Sequence, residues 1–173
     1  MTFAVNLATV GSNATATGTL IQSGTAVAST SGTSIDFTGI PSWVKRITVM
    51  FAGVSTNGTS PLLIQLGDAG GVETTGYVSS STGFTGTAGG TSSSTAGFII
   101  AYDTATYVVS GSAVINYIGT NLWVISGVGK IATGATWTAG GDKTLSDTLT
   151  QIRLTTVGGT NTFDAGSVNI LYE

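Results

Sequence analysis

Few side chains in this 173-residue chain can do chemistry, and histidine and cysteine are both absent. Without imidazole there is no Ser-His-Asp or Cys-His triad and no His-based zinc or iron site. Without thiols there are no disulfides or thiolate metal sites, and the redox compartment stays open. Carboxylates remain: Asp68 with Glu73, and Asp142 with Asp147, each pair five residues apart. Such a pair hydrolyses glycosides when its members face each other across the scissile bond at roughly 5 to 9.5 Å. A five-residue spacing across glycine-rich turns does not impose that geometry, and Asp is an ordinary turn residue. No EF-hand D-x-D-x-D-G pattern occurs either. These acids are read as turn formers, and no catalytic residue, cofactor or metal is expected.

Two further patterns invite a functional reading. Gly127-Val128-Gly129-Lys130-Ile131-Ala132 fits a GxGxxA dinucleotide fingerprint behind the strand-like LWVIS. That fingerprint works only if a helix begins at the second glycine and offers its N-terminus to pyrophosphate. The residues that follow, Thr133 to Thr138, are poor helix formers, so the motif is read as a β-bulge or turn. Aromatic side chains could stack on sugars, although most are expected in the core or at a subunit interface. Tyr77 and Phe84 are chosen as candidate contacts to a host glycan or protein. They are the large aromatic anchors of the polar stretch around Ser79 to Ala96, whose hydroxyls and backbone amides suit glycan binding.

The elements that would position these residues follow from composition. Charged residues make up only 8% of the chain and hydrophobic residues 41%, with 32 Thr, 19 Ser and 26 Gly. Thr favours extended backbone, while Gly and Ser favour turns. The mean hydropathy of +0.38 argues against disorder. Many short strands joined by tight turns are expected, without helices. A net charge of −3 and a single basic pair, Lys45-Arg46, exclude nucleic acid as a partner. No apolar run approaches the ~20 residues of a membrane helix, so no membrane insertion is expected. The N-terminus lacks a basic n-region and a sustained apolar core, so no signal peptide is read there. Low charge implies a surface largely covered by partners.

The chain is organised around residues 35–56. Gly39-Ile40-Pro41-Ser42 reads as a corner, and beyond Lys45 the residues Ile47, Val49 and Phe51 alternate with Arg46, Thr48 and Met50. Residues 1–24 are expected to form an N-terminal arm or first strand, and 25–173 a sandwich domain. Further strands are read at Leu62–Leu66, Phe98–Tyr102, Thr106–Val109, Ala113–Ile118, Leu122–Ser126, Leu149–Val157 and Val168–Tyr172. Turns are read at Asn57-Gly58, Asp103-Thr104, Gly119-Thr120-Asn121 and Ala139-Gly140-Gly141-Asp142, and an exposed loop within 67–96. Eight to ten strands at this spacing predict an all-β fold, an antiparallel β-sandwich of jelly-roll type. The expected core is Ile47, Val49, Phe51, Ile64, Val114, Ile152, Leu154 and Ile170.

The stretch IDFTGIPSWVKRITVMFAGVSTNGTSPLLIQLGD, with the ending FDAGSVNILYE, resembles a group of tailed-bacteriophage virion proteins, tail-fibre-like or decoration-like. The resemblance spans about residues 25–68 and the C-terminal ten, and covers the middle only in composition. It implies a homotrimeric β-sandwich on the virion surface, made in the host cytoplasm, in contact with other virion proteins. Two roles stay open: a tail-fibre or receptor-binding module for host attachment, or a capsid decoration or head-fibre protein. The short chain with its own Met1 is expected to be a self-contained accessory protein.

Overall fold

The computed structural model describes residues 21–86, 88–101, 107–132 and 134–173. Most of the expected N-terminal arm (1–20), Tyr102 and the Asp103-Thr104 turn lie outside these residues. Every secondary-structure element described is a strand: β1 (Gln22–Ser23), β2 (Val27–Ala28), β3 (Ile35–Thr38), β4 (Arg46–Thr56), β5 (Leu62–Asp68), β6 (Gly71–Val72) and β7 (Tyr77–Thr85). They are followed by β8 (Ala88–Ser94), β9 (Phe98–Ile100), β10 (Val109–Gly119), β11 (Leu122–Ala132), β12 (Ala135–Thr144), β13 (Gln151–Thr156) and β14 (Phe163–Tyr172). No helix among the described residues is long and apolar enough to cross a membrane.

The strands form two antiparallel sheets packed face to face, a β-sandwich as expected. The larger runs β1-β14-β4-β10-β11-β12-β7-β8, with β2 also on β14. The smaller runs β3-β13-β5, with β6 and β9 both on the far edge of β5. The chain changes sheet at β2 to β3, β3 to β4, β4 to β5, β6 to β7, β8 to β9, β9 to β10, β12 to β13 and β13 to β14. With β13 seated between β3 and β5, and β10 beside β4, this is a jelly-roll wind. It is enlarged by the β10–β12 meander and by β14.

The corner between the sheets is built as its residues dictate. Gly39 takes a positive φ of 73°, and the Pro41 carbonyl accepts from the Val44 N–H at 3.1 Å. Ile40 and Val44 are buried by the turn, while Trp43 stays half exposed and rests on Tyr172 with ring centroids 6.0 Å apart. β4 then alternates in burial until Gly53, where φ is 69° and the alternation slips by one residue. A Cβ on the facing Gly166 would stand 2.3 Å from the Gly53 carbonyl, so the bulge needs glycine there.

Seven of the eight expected core residues are buried. Val114 is the correction: it points outward, and its neighbours Ala113 and Ile115 fill the interior opposite Val49 and Ile47. Val114 shares its phase with Ser112 and Asn116, whereas Ala113 and Ile115 share the wholly apolar one, and pairing with β4 turns that second phase inward. Three loop, turn or bulge readings are also corrected. The expected loop within 67–96 contains the β7–β8 hairpin, paired from Ser79↔Ser94 to Thr85↔Ala88. The glycine pair Gly140-Gly141 runs straight through β12. The Gly127-Val128-Gly129 motif likewise lies within β11 and is neither bulge nor turn.

The glycines of β11 make room for one side chain. Trp137 on β12 is fully buried, and its indole lies across β11 where Gly127 and Gly129 present no Cβ. Gly129 pairs with Trp137 on one side and Gly111 on the other, and Gly111 pairs with Phe51. The two rings therefore meet across two glycines, edge to face, with centroids 6.2 Å apart at 80°.

Candidate functional site

The charged constellation with the most geometry behind it lies where β5 and β6 meet the link from β12 to β13. β12 alternates inward through Ala135, Trp137, Ala139 and Gly141, and the same period turns Lys143 into the sandwich, where it is buried. A buried ammonium requires a counter-charge. Glu73, just beyond β6, provides it through an ion pair, and the Lys143 Nζ also lies 5.2 Å from the Tyr77 ring centroid.

Ser146 completes the group. Its hydroxyl lies 2.7 Å from Asp68 Oδ2 and 2.8 Å from Glu73 Oε1, and its N–H donates to the same Glu73 oxygen at 2.7 Å. The Gly70 N–H donates to Asp68 Oδ1 at 2.7 Å. The Ser146 hydroxyl, followed by the Gly70 N–H, holds the Asp68 carboxyl below its usual range. Burial pushes Glu73 upward, but donors from Lys143 and Ser146 outweigh it and leave its carboxyl lowered.

The structure thus brings the first of the two acid pairs together. Two carboxylate oxygens that share one hydroxyl leave no space for a glycosidic bond and a water between them. A glycosidase acid also needs a raised pKa, and both of these are lowered. The arrangement is a clamp that ties the β5–β6 hairpin to the β12–β13 link. The second pair is separated by role: Asp142 is exposed on the outer face of β12, while Asp147 accepts from the Thr148 N–H at 2.6 Å in the link. No group of three or more Asp, Glu, His or Cys placed to hold a metal occurs among the described residues.

Of the two aromatics expected at a contact surface, Tyr77 is a correction. It is 1% exposed and packs edge to face on Phe98, with centroids 5.1 Å apart. Its hydroxyl accepts from the Leu66 N–H at 2.7 Å and lies 3.0 Å from the Glu73 carbonyl, and burial drives its pKa upward. It locks the clamp and cannot offer a ring to a sugar. Phe84 is seven residues further along β7 and therefore on the opposite face; it is 55% exposed near the hairpin tip, its ring against Gly89. The structure does not bring the two together.

No known family model, curated protein or solved structure matches the chain. Lys143 and Ser146 are the site residues that sequence reasoning missed. The signal for Lys143 was present in the two-residue period beginning at Ala135, but Gly140-Gly141 read as a turn that interrupted it.

Proposed function

We propose that this chain is a non-enzymatic surface protein of a tailed-bacteriophage virion, a homo-oligomer of the tail-fibre or receptor-binding type that serves host attachment. The observation that carries the reading is the resemblance of IDFTGIPSWVKRITVMFAGVSTNGTSPLLIQLGD and FDAGSVNILYE to such virion proteins. The β7–β8 hairpin supports it. It presents Phe84 to solvent beside Ser- and Thr-rich strands, and a concavity of about 380 Å³ at its base is lined by Val78, Ser93, Ser94 and Thr95 among others. Hydroxyls that hydrogen-bond and an aromatic face that covers a sugar ring suit a host surface glycan.

A second reading, capsid decoration or a head fibre, is favoured by the low surface charge, which suits continuous contact with other virion proteins. Immunogold labelling of intact particles separates the two by position and copy number, and absence from purified particles would overturn both. Within the attachment reading, Phe84→Ser should reduce adsorption to host cells at least tenfold with an unchanged β spectrum. Unchanged adsorption would remove the hairpin from the contact.

A further inference from the structure

We infer that copies of this chain associate through the outer face of the large sheet, the face turned away from the small sheet. The inference stands on that surface and does not depend on the virion reading. Strand alternation places Val78, Phe84 and Val128 on this face, 67%, 55% and 60% exposed; Ile118, in the bulge that ends β10, is 61% exposed, and Val78 and Phe84 lie at the β7 edge, outside the contact and open to the hairpin's own partner. These are the four most exposed large hydrophobic side chains among the described residues. Val114 and Val124 lie between them, partly buried. Val124 and Val128 on β11 flank Val114 on β10 diagonally, and an apolar group of this kind on an open sheet face marks an interaction surface.

Charge on the face is arranged to permit close approach. Lys130 stands towards one end of the strands, paired with Ser110 and Thr136. Asp142 and Arg46 share a row towards the other end, and Arg46 is already bound to Glu173. The two rows between, running through Val114 and Val128, carry no charged residue from β7 to β14. A charged partner would find nothing to pair with there.

The occupant that fits is another copy of the same sheet. Two sheets of the same twist pack face to face about 10 Å apart, with small and β-branched side chains interdigitating. From β14 to β12 the face spans about 20 Å across five strands and about 30 Å along them, on the order of 600 Å². Standard interfaces bury about 600–1,000 Å² per partner, so the face reaches that range alone.

The test is mass in solution. Light scattering on the full chain at 10–100 µM should give a multiple of 17.2 kDa. Val128→Lys with Ser126→Lys, both at exposed positions, should weaken association by about a hundredfold through buried unpaired charge and leave a 17.2 kDa monomer. Val157→Lys, on the turn after β13, should leave the mass unchanged. Because the natural chain has no cysteine, Ser126→Cys gives one thiol in an otherwise intact protein. A short bismaleimide should then cross-link it into a covalent dimer, and Thr160→Cys should not. A wild-type monomer at 100 µM overturns the inference. So does an oligomer whose mass withstands the lysine pair, or an oligomer whose Ser126 thiols do not cross-link.

Discussion

The indole of Trp137 across β11 gives a prediction whose sign is the test. In an ordinary strand, replacing glycine by alanine stabilises by roughly 0.5–1 kcal/mol, because glycine loses more backbone freedom on folding. At Gly127 the opposite is expected. A Cβ there would stand 2.7 Å from Trp137 Cζ3, 2.9 Å from Cη2 and 3.2 Å from the Ala113 Cβ. Carbon contacts settle near 3.5–4.0 Å, so the indole would have to retreat by about 1 Å. It is fully buried and abuts Phe51, leaving it nowhere to go. Overpacking of this kind costs about 1–3 kcal/mol, and the short contacts to two ring atoms put Gly127→Ala near the upper end. For a chain of this length that lowers Tm by roughly 5–10 °C. Trp137→Phe should cost less than a usual core truncation, because the indole Nε1–H is buried without a hydrogen-bond partner and its removal deletes that penalty. In the double variant the smaller ring vacates the space that the alanine needs, so the two changes should be less harmful together than their sum by about 1–2 kcal/mol. Denaturant titrations followed by far-UV circular dichroism measure all four corners of the cycle. A stabilised Gly127→Ala, or additivity within 0.5 kcal/mol, would refute the account of β11 as a bed for the indole.

Three further expectations follow from particular residues. The β10–β11 turn holds Thr120 at φ 50° and Asn121 at φ 58°, and a β-branched residue resists that region. Thr120→Asn with Asn121→Gly should therefore raise stability by roughly 1 kcal/mol, seen as a higher denaturation midpoint. The ion pair of buried Lys143 with Glu73 should make Lys143→Ala cost about 3 kcal/mol, and Lys143→Met with Glu73→Gln should restore part of it; equal losses would show that pairing is not the cause. Asp68 and Glu73 are held below their ordinary values of 3.8 and 4.5, so the folded state binds their protons less readily than the unfolded chain. Their stabilisation is complete above about pH 4.5 and declines as pH falls through the lowered folded values. An Asp68→Asn variant should show a shallower acid limb of stability against pH than wild type.

Strong contrast between successive residues is what made parts of this fold legible. In β4, Ile47, Val49 and Phe51 alternate with Arg46 and Thr48, and the corner before it carries Pro41; strand, phase and pivot were all readable. The hairpin β7–β8 was not, because its inward positions are serines. Ser79 and Ser81 are buried, but the Ile99 N–H donates to the Ser79 hydroxyl at 2.9 Å and Ser81 donates to the Thr138 carbonyl at 3.0 Å. Hydroxyls satisfied against backbone replace the apolar side chains that would have announced a strand. The clamp was half legible. Asp68 and Glu73 stand out as acids, but Ser146 joins them from 78 and 73 residues away, and only the jelly-roll wind brings it there.

The misplacement of Val114 has the same origin as the proposed association surface. A strand with one wetted face displays its phase because the solvent side is charged or polar. β10 and β11 carry an apolar β-branched residue on both sides, which blurs the phase although Ser112 and Asn116 share the side of Val114: Val114 and Val128 face outward as Ile115 and Ile131 face inward. Nothing within the described chain rewards an apolar residue at those outward positions, because the small sheet covers only the opposite face. Exposure of 60% at Val128 would be an aggregation hazard on a face meant for water. The ambiguity is removed if both faces of the large sheet are buried in the working protein, one by the small sheet and one by another copy. The register of β10 is then specified by which partner each face meets, and a lysine at residue 128 should disturb assembly without disturbing the fold.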